Sequence, residues 1–341
     1  MRTTILLPAG LLALFAAGPA LAARQVSKPL AAFVAEMRVF IPGEGSGGFV
    51  VPTPDEQEAF RAAARALGAG DVATAERALA IFPGVFEVLD YTDGAGGPSY
   101  LAIAEIPGGP TGLLPRGWGF YFFARRPERP GLVIEAPHPV ADRESELDAA
   151  AAVTALRPAA FLLAGAHRYA DPKPVSDMAH TSSSVFEAVH EVALEGGRIA
   201  AQIHGFSLAA HAGYPELLLS SGDVTPTADV AAICAEVNQG GLRCVPFDGS
   251  AFTTLGGLQN VQGGHASSLF GPGHFLHFEI ADAARADPAS FAVIVKGIGD
   301  RFPTGGGCSC GTGSAGSTAL LSFVFLVAYG ARPSRYRRRN S

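Results

Sequence analysis

The sequence predicts an α/β protein whose open sheet is mostly parallel or mixed and carries helices on both faces. From residue 131 onward, short apolar segments alternate with amphipathic helical segments of about 10–15 residues, which is the pattern of βαβ units. The chain has 341 residues, 48% of them hydrophobic and 16% charged, and this composition can cover both faces of a sheet.

The alternating region, residues 131–300, supplies most of the predicted elements and is expected to form the α/β core. Strands are predicted at residues 132–136, 160–166, 199–203, 215–219, 242–246 and 273–280. Helices are predicted at residues 145–156, 183–195, 228–239 and 288–298.

For residues 24–130, the sequence predicts two helices and three strands. The segment 53–56, Thr-Pro-Asp-Glu, has the capping threonine, the first-turn proline and the third-position glutamate of a helix start. This helix should end near Leu67, and Asp71 should cap a second helix. We expect this segment to extend the main sheet rather than to form a separate domain. The strands are predicted at residues 82–91, 100–106 and 118–124.

The N-terminus, residues 1–23, has the three parts of a secretory signal peptide. Arg2 supplies the positive charge, residues 5–14 are apolar, and Ala20-Leu21-Ala22 is a small-x-small cleavage site. An uncleaved membrane anchor is the alternative, although the apolar run is short for a transmembrane span. The sequence therefore predicts export from the cytoplasm.

The C-terminal segment, residues 301–341, combines a Gly-rich stretch around Cys308 and Cys310, an apolar run at 319–329 and a terminal arginine cluster. This combination resembles the MYXO-CTERM sorting signal. The resemblance implies processing near Cys308, retention at the cell envelope or surface, and contact with the membrane through the tail. A plain C-terminal anchor is the alternative, and in both cases the arginines would stay on the cytoplasmic side.

Net charge and cysteine content limit the classes of function that the protein can have. The formal net charge of -6 argues against a nucleic-acid partner. Cys234 and Cys244 lie on either side of a predicted helix-to-strand connection, and an oxidising compartment would allow them to form a disulfide. A buried pair of free thiols is the alternative, and their spacing does not match a structural zinc site.

All nine histidines lie between His138 and His277, and two of them follow apolar strand segments. His138 ends the run 131–138, and His204 ends the run 199–204. Ligands bind outside the carboxyl ends of strands in open α/β sheets. Because an acidic cluster follows His138, this arrangement predicts a zinc site with histidine and carboxylate ligands.

These features resemble the zinc hydrolases of the phosphorylase/hydrolase-like α/β fold, a group that includes zinc carboxypeptidases, N-formylglutamate amidohydrolases, poly-γ-glutamate hydrolases and N-acetylmuramoyl-L-alanine amidases. The shared features are a strand followed by histidine and acid, a later strand ending in His-Gly, and a late strand carrying glutamate. The resemblance covers residues 130–300. It implies a Zn²⁺ cofactor bound by His138, Glu146 and His204, with Glu279 as the general base.

The sequence departs from the carboxypeptidase pattern at the carboxylate ligand. Carboxypeptidases have glutamate three positions after the first histidine, where this chain has Ala141. The third ligand must then be Asp142, Glu144 or Glu146. Glu146 is preferred because it opens a helix that can turn back over the strand end, while Asp142 could instead orient a ligand histidine.

Substrate contacts are predicted after the second strand of the core. Arg168 could bind a substrate carboxylate, or it could simply pair with Asp171. His167 should face the same crevice, and His180 could bind substrate or stabilise an oxyanion. His190, within a predicted amphipathic helix, is interpreted as a surface or packing residue.

The first functional hypothesis is an envelope-associated hydrolase of amide or peptide bonds, acting on peptides, peptidoglycan-derived compounds or γ-glutamyl substrates. A serine hydrolase is less consistent with the sequence, because this chain lacks a Gly-x-Ser-x-Gly elbow. The segment Gly205-Phe-Ser207 comes nearest to that motif. A third hypothesis is a surface-anchored binding protein on a degenerate hydrolase fold. Residues 260–264 would then be a recognition loop, or merely a turn.

Overall fold

The computed structural model describes residues 23–305, which belong to one compact unit. The predicted signal peptide, apart from Ala23, and the predicted sorting tail from residue 306 onward lie outside the described residues. Among the residues that the structure describes, no helix is both long enough and apolar enough to cross a membrane.

The described part of the chain is built on one ten-stranded sheet with the order β1-β2-β3-β4-β6-β5-β7-β10-β8-β9. Five neighbouring pairs are parallel and four are antiparallel, so the sheet is mixed. The strands are β1 (Arg24–Lys28), β2 (Phe86–Asp93), β3 (Ser99–Glu105), β4 (Phe120–Ala124), β5 (Arg129–Ala136), β6 (Pro158–Leu163), β7 (Ile199–Phe206), β8 (Leu217–Ser220), β9 (Cys244–Pro246) and β10 (Phe275–Ala281).

Helices cover both faces of the sheet, and each face has its own apolar core. The first face is covered by α1 (Leu30–Met37), α4 (Ser145–Leu156), α6 (Ala228–Gln239), α8 (Asp282–Ala286) and α9 (Pro288–Arg301). The second face is covered by α2 (Pro54–Gly68), α3 (Val72–Leu79), α5 (Val185–Ala193) and α7 (Val261–Phe270). The predicted α/β class is therefore confirmed.

The centre of the sheet is the parallel block β6-β5-β7-β10. The chain leaves β5, forms β6 on one side of it, and then crosses to form β7 on the other side. Such a reversal of strand order opens a crevice at the carboxyl ends of the strands. The segments that follow these strands therefore meet at one place above the sheet.

Polar residues on the three strands β5, β7 and β10 share one face of the sheet. Side chains alternate between faces along a strand. Ala201 and Ile203 of β7 belong to the core under α4, whereas Ala200 belongs to the core under α5. Gln202 and His204 are in phase with Ala200, so they point toward the layer of α5 and α7.

Two elements differ from the sequence-based prediction. Residues 260–264 are neither a loop nor a turn, because they begin helix α7, with the Asn260 side chain accepting from Gly263 N. The glycines at 263 and 264 concealed this helix. Gly263 lies against the Phe275 ring, where an added Cβ would come within 2.8 Å, so close packing explains one of them. Residues 24–37 form β1 and α1, for which no element was predicted.

Cys234 on α6 and Cys244 on β9 form a disulfide. The bond joins a helix to the edge strand that comes after it in the chain. Both cysteines are buried, at 2% and 3% exposure.

Glu105, at the end of β3, organises the segment that leads into β4. Its carboxylate is 1% exposed. It accepts hydrogen bonds from four consecutive backbone amides, those of Arg116, Gly117, Trp118 and Gly119, at 2.5–3.0 Å. A carboxylate has acceptor sites for all four donors and no donor of its own. The segment therefore depends on this single side chain.

We predict that Glu105→Gln destabilises the protein. A glutamine amide cannot accept all four bonds, and its own donor would face backbone donors, so the free energy of unfolding should fall by about 2–4 kcal/mol. Chemical denaturation measures this change. Glu58→Gln, at a side chain that is 64% exposed, is the matched control and should change stability by less than about 0.5 kcal/mol. Equal stability of the two variants would contradict the interpretation.

Candidate functional site

Three side chains converge at the crevice formed by the parallel strands. His204 Nδ1 lies 3.1 Å from His138 Nδ1. The Asp142 Oδ2 oxygen lies 3.2 Å from His138 Nδ1 and 3.1 Å from His204 Nδ1. These three atoms form a compact triangle that could hold one metal ion.

The strand arrangement places these donors. His138 follows the end of β5 by two residues, and His204 lies near the end of β7. β5 and β7 are parallel neighbours, so the ends of both strands lie at the same edge. Both histidine side chains are almost fully buried, at 2% and 3% exposure.

The loop that carries Asp142 has an unusual backbone. Val140, Arg143 and Glu144 have positive φ angles of 67°, 43° and 73°. Residues other than glycine rarely adopt this region, and a cluster of them costs free energy that the surrounding structure must supply. The tight path bends the chain back over the end of β5. As a result, Asp142 reaches the two histidines only four residues after His138.

The second ring nitrogen of each histidine also has a fixed partner. His138 Nε2 lies 2.8 Å from Asp177 Oδ1, and His204 Nε2 lies 2.8 Å from Gln202 Oε1. Both partners offer an acceptor oxygen, and this geometry fits a proton on each Nε2. In the neutral rings, the two Nδ1 atoms therefore present lone pairs toward each other and toward the Asp142 carboxylate.

This triangle of acceptors requires a positive charge at its centre. Burial lowers the pKa of His138, but Asp142 and Asp177 outweigh burial and raise that pKa to about 9. For His204, burial and the neighbouring His277 hold the pKa well below its ordinary value. In the protein without metal, a proton on His138 meets the requirement, and a divalent cation would meet it by replacing that proton.

The donor set fits zinc. Two imidazole nitrogens and one carboxylate oxygen are the typical three-residue set of a catalytic zinc site. Zinc–ligand bonds of about 2.0–2.2 Å in a tetrahedron place neighbouring donors about 3.3–3.5 Å apart. The observed separations of 3.1–3.2 Å are close to this value. Carboxylate–histidine pairs such as Asp177–His138 commonly orient a zinc ligand from behind.

The structure does not bring Glu146, the predicted carboxylate ligand, to the histidines. Its side chain is fully buried on the other side of the loop, where Glu146 Oε2 accepts from the Val140 backbone amide at 3.1 Å. Glu146 Oε1 lies 3.0 Å from Nε of Arg38. The structure therefore places Asp142, and not Glu146, beside the two histidines, while Glu146 contacts the loop that carries Asp142.

Glu279 lies beside the cluster on the adjacent strand. In the parallel pairing of β10 with β7, Glu279 is in register with His204. Its Oε1 lies 3.2 Å from His277 Nε2, and the His277 ring centre lies 4.3 Å from that of His204. Both Glu279 and His277 face a cavity of about 370 Å³ whose wall also includes His138 and His204. The predicted general base is thus within the same site.

Two of the three predicted substrate-binding residues line this cavity. Arg168 and His180 do so, and both contact Asp177, at 2.5 Å from Arg168 Nη2 and 3.0 Å from His180 Nδ1. Arg168 pairs with this residue rather than with Asp171. His167 is not among the residues that line the cavity, and its Nδ1 accepts from the Tyr169 backbone amide at 3.0 Å. β6 ends at residue 163, earlier than predicted, so His167 lies in the loop beyond the strand.

Sequence reasoning missed Asp177 and Gln202, which contact the Nε2 atoms of the two histidines. In the sequence, Asp177 stands out only as a neighbour of His180, and Gln202 lies within an apolar strand. The in-phase pair Gln202 and His204, two residues apart on one strand, is the signal that could have identified Gln202. Of the two interpretations of His190, the structure supports packing rather than surface exposure, because the side chain is fully buried, with Nδ1 2.6 Å from Glu135 Oε1.

Comparison with known proteins leaves the function open. No protein-family model matches the chain, and no curated protein matches it. Among solved structures, the chain is similar to the crystal structure of gene product Atu2144 from Agrobacterium tumefaciens, with 12% sequence identity and a TM-score of 0.30. The match covers 51% of this chain and 88% of the other. A likeness of this degree carries no argument about function.

We predict that Asp142→Ala lowers zinc affinity by at least about 100-fold, because it removes one of the three ligands and the only negative charge among them. Glu146→Gln should keep most of the affinity, since its carboxylate faces Arg38 and the loop backbone. Competition with a chromophoric chelator measures the zinc affinity of both variants. If Glu146→Gln loses zinc while Asp142→Ala retains it, the assignment of the ligand is wrong.

Proposed function

We propose that the protein is a zinc-dependent hydrolase of amide or peptide bonds, with His138, Asp142 and His204 as zinc ligands and Glu279 as general base. The observation that carries this proposal is the three-donor cluster with a carboxylate on the neighbouring strand and a cavity in front of both. The Glu279 carboxylate lies at the cavity wall beside this cluster, where it can accept a proton from water.

The residues of the site divide the chemistry between them. Zinc supplies Lewis acidity when bound, which polarises a carbonyl and lowers the pKa of water. The Glu279 carboxylate takes the proton of the attacking water and returns it to the leaving nitrogen. Asp177 and Gln202 hold the two histidine rings so that their Nδ1 atoms face the reacting centre.

The cavity also supports a class of substrate. Arg168 is the cation on its wall, and its guanidinium is held by Asp177, so it is oriented rather than mobile. His180 stands next to it, 40% exposed at the side chain. A fixed arginine suits a carboxylate. We therefore propose a substrate with a carboxylate near the scissile bond, such as a peptide, a peptidoglycan-derived peptide or a γ-glutamyl compound.

The cell-envelope location stays a prediction from the two ends of the sequence. It agrees with the disulfide between Cys234 and Cys244, since disulfides persist in oxidising compartments. An enzyme placed there would meet peptides and cell-wall fragments.

We predict that the purified protein binds one zinc ion and hydrolyses at least one member of a panel of N-acyl amino acids, peptides, muropeptides and γ-glutamyl amides. Activity should disappear on chelation and return with zinc. Glu279→Gln should retain zinc and lower kcat about 10²–10⁴-fold, because it removes the proton acceptor. Elemental analysis and kinetics measure these outcomes.

The control for this substitution is Glu58→Gln, which makes the same chemical change at an exposed position on α2. A Glu279→Gln variant with unchanged kcat would refute the role of Glu279. If the wild-type protein binds one zinc ion per chain but hydrolyses no substrate in the panel, this result would instead favour a non-catalytic binding protein on a hydrolase-like fold.

A further inference from the structure

Gln202 is the sole side chain, among the described residues, that forms a hydrogen bond with His204 Nε2, at 2.8 Å. Both residues lie on β7, two positions apart and on the same face. Gln202 is fully buried and His204 is 2% exposed. The His204 ring is therefore held from behind by an amide in an environment without solvent.

The orientation of the Gln202 amide is determined by its other contacts. Its Nε2 donates to Glu135 Oε2 at 3.0 Å and to Gln262 Oε1 at 3.2 Å. Its Oε1 accepts from Asn260 Nδ2 at 2.5 Å as well as from His204. A flipped amide would place its carbonyl against the Glu135 carboxylate and its NH₂ against the NH₂ of Asn260, so it would lose its bonds to Glu135, Gln262 and Asn260.

Backbone groups fix the neighbouring amides in turn. Asn260 Oδ1 accepts from the Gly263 amide at 3.1 Å, so Nδ2 must face Gln202. Gln262 Nε2 donates to Met178 O at 2.9 Å and to Glu187 Oε2 at 2.7 Å, so its Oε1 must face Gln202. The orientation of Gln202 thus results from the fold itself, through helix α7.

A buried ion pair anchors the network on its other side. Glu135 Oε1 lies 2.6 Å from His190 Nδ1, and both side chains are fully buried. Burial lowers the pKa of His190, but Glu135 outweighs burial and raises it. The Glu135 carboxylate thus contacts His190 through Oε1 and accepts from Gln202 through Oε2.

We propose that Gln202 is the positioning residue that fixes His204 in its Nε2–H tautomer and thereby keeps the Nδ1 lone pair directed at His138 and Asp142. Its effect on metal binding rests on the proposed zinc site, whereas its effect on the tautomer does not. Glutamine is the residue that serves here because it accepts from His204 and donates to Glu135 with one planar group. Glutamate at this position could not donate, and it would face Glu135 as a second buried anion.

The direct test is the tautomer of His204 in the protein without added metal. Long-range ¹⁵N–¹H spectra of protein labelled on histidine distinguish the two tautomers, and a His204→Gln variant assigns the signals. The wild-type protein should show Nε2–H with an unprotonated Nδ1. A His204 that is Nδ1–H, or that averages between tautomers, overturns the proposal whether or not the protein binds zinc.

Substitution tests the consequence for metal binding. Gln202→Leu and Gln202→Glu should each lower zinc affinity about 10–100-fold, as is typical for residues that orient a metal-binding histidine, and Gln202→Leu should also lose the single tautomer. Gln239→Leu, at an exposed residue at the end of α6, is the matched control and should leave both the zinc affinity and the tautomer unchanged. The inference would be refuted if the wild-type protein binds zinc and a folded Gln202→Leu variant binds zinc equally well and keeps the same His204 tautomer. A wild-type protein with no affinity for zinc would refute the proposed function alone.

Discussion

The contact of the Asp142 carboxylate with the Nδ1 atoms of His138 and His204 defines the candidate site. When both rings are neutral, the two buried imidazoles present lone pairs to each other at 3.1 Å, and the carboxylate adds a third acceptor. The cluster therefore needs one shared positive charge, either a proton or a divalent cation. The loop with three left-handed residues other than glycine, which the buried Glu146 contacts, brings Asp142 to this position.

The fold brings these groups together by simple geometry. Parallel strands β5, β7 and β10 carry polar residues in phase on the face toward α5 and α7, and the reversal of strand order opens the crevice at their ends. Apolar residues of the same strands lie on both faces. Ile134, Ala201 and Ile203 belong to the core under α4, whereas Val133, Ala200 and Phe275 belong to the core on the face that carries the polar residues. Both faces of the central sheet therefore stabilise the fold, and one of them also holds the histidines and the groups that contact them.

Strand periodicity made part of this site predictable from the sequence. Apolar runs ending in histidine placed His138 and His204 at one edge of a sheet, and the in-phase Glu279 fell beside them. The choice between Asp142 and Glu146 could not be predicted, because it depends on left-handed backbone at Val140 and on a partner, Arg38, from a distant segment. The roles of Asp177 and Gln202 depend on tertiary contacts, which cannot be predicted from the spacing of residues in the sequence. Helix α7 was missed because of its two glycines, one of which is needed for close packing against Phe275.

The hypothesis that His138 Nδ1, Asp142 and His204 Nδ1 hold one divalent cation can be tested by anomalous diffraction at the zinc absorption edge, on crystals of the protein grown with zinc. We expect a single strong peak about 2.0–2.2 Å from the two Nδ1 atoms and from an Asp142 oxygen. A peak on the other side of the His138 ring, bound by Nε2 together with Asp177 and His180, would contradict this hypothesis, as would crystals without a peak at either place.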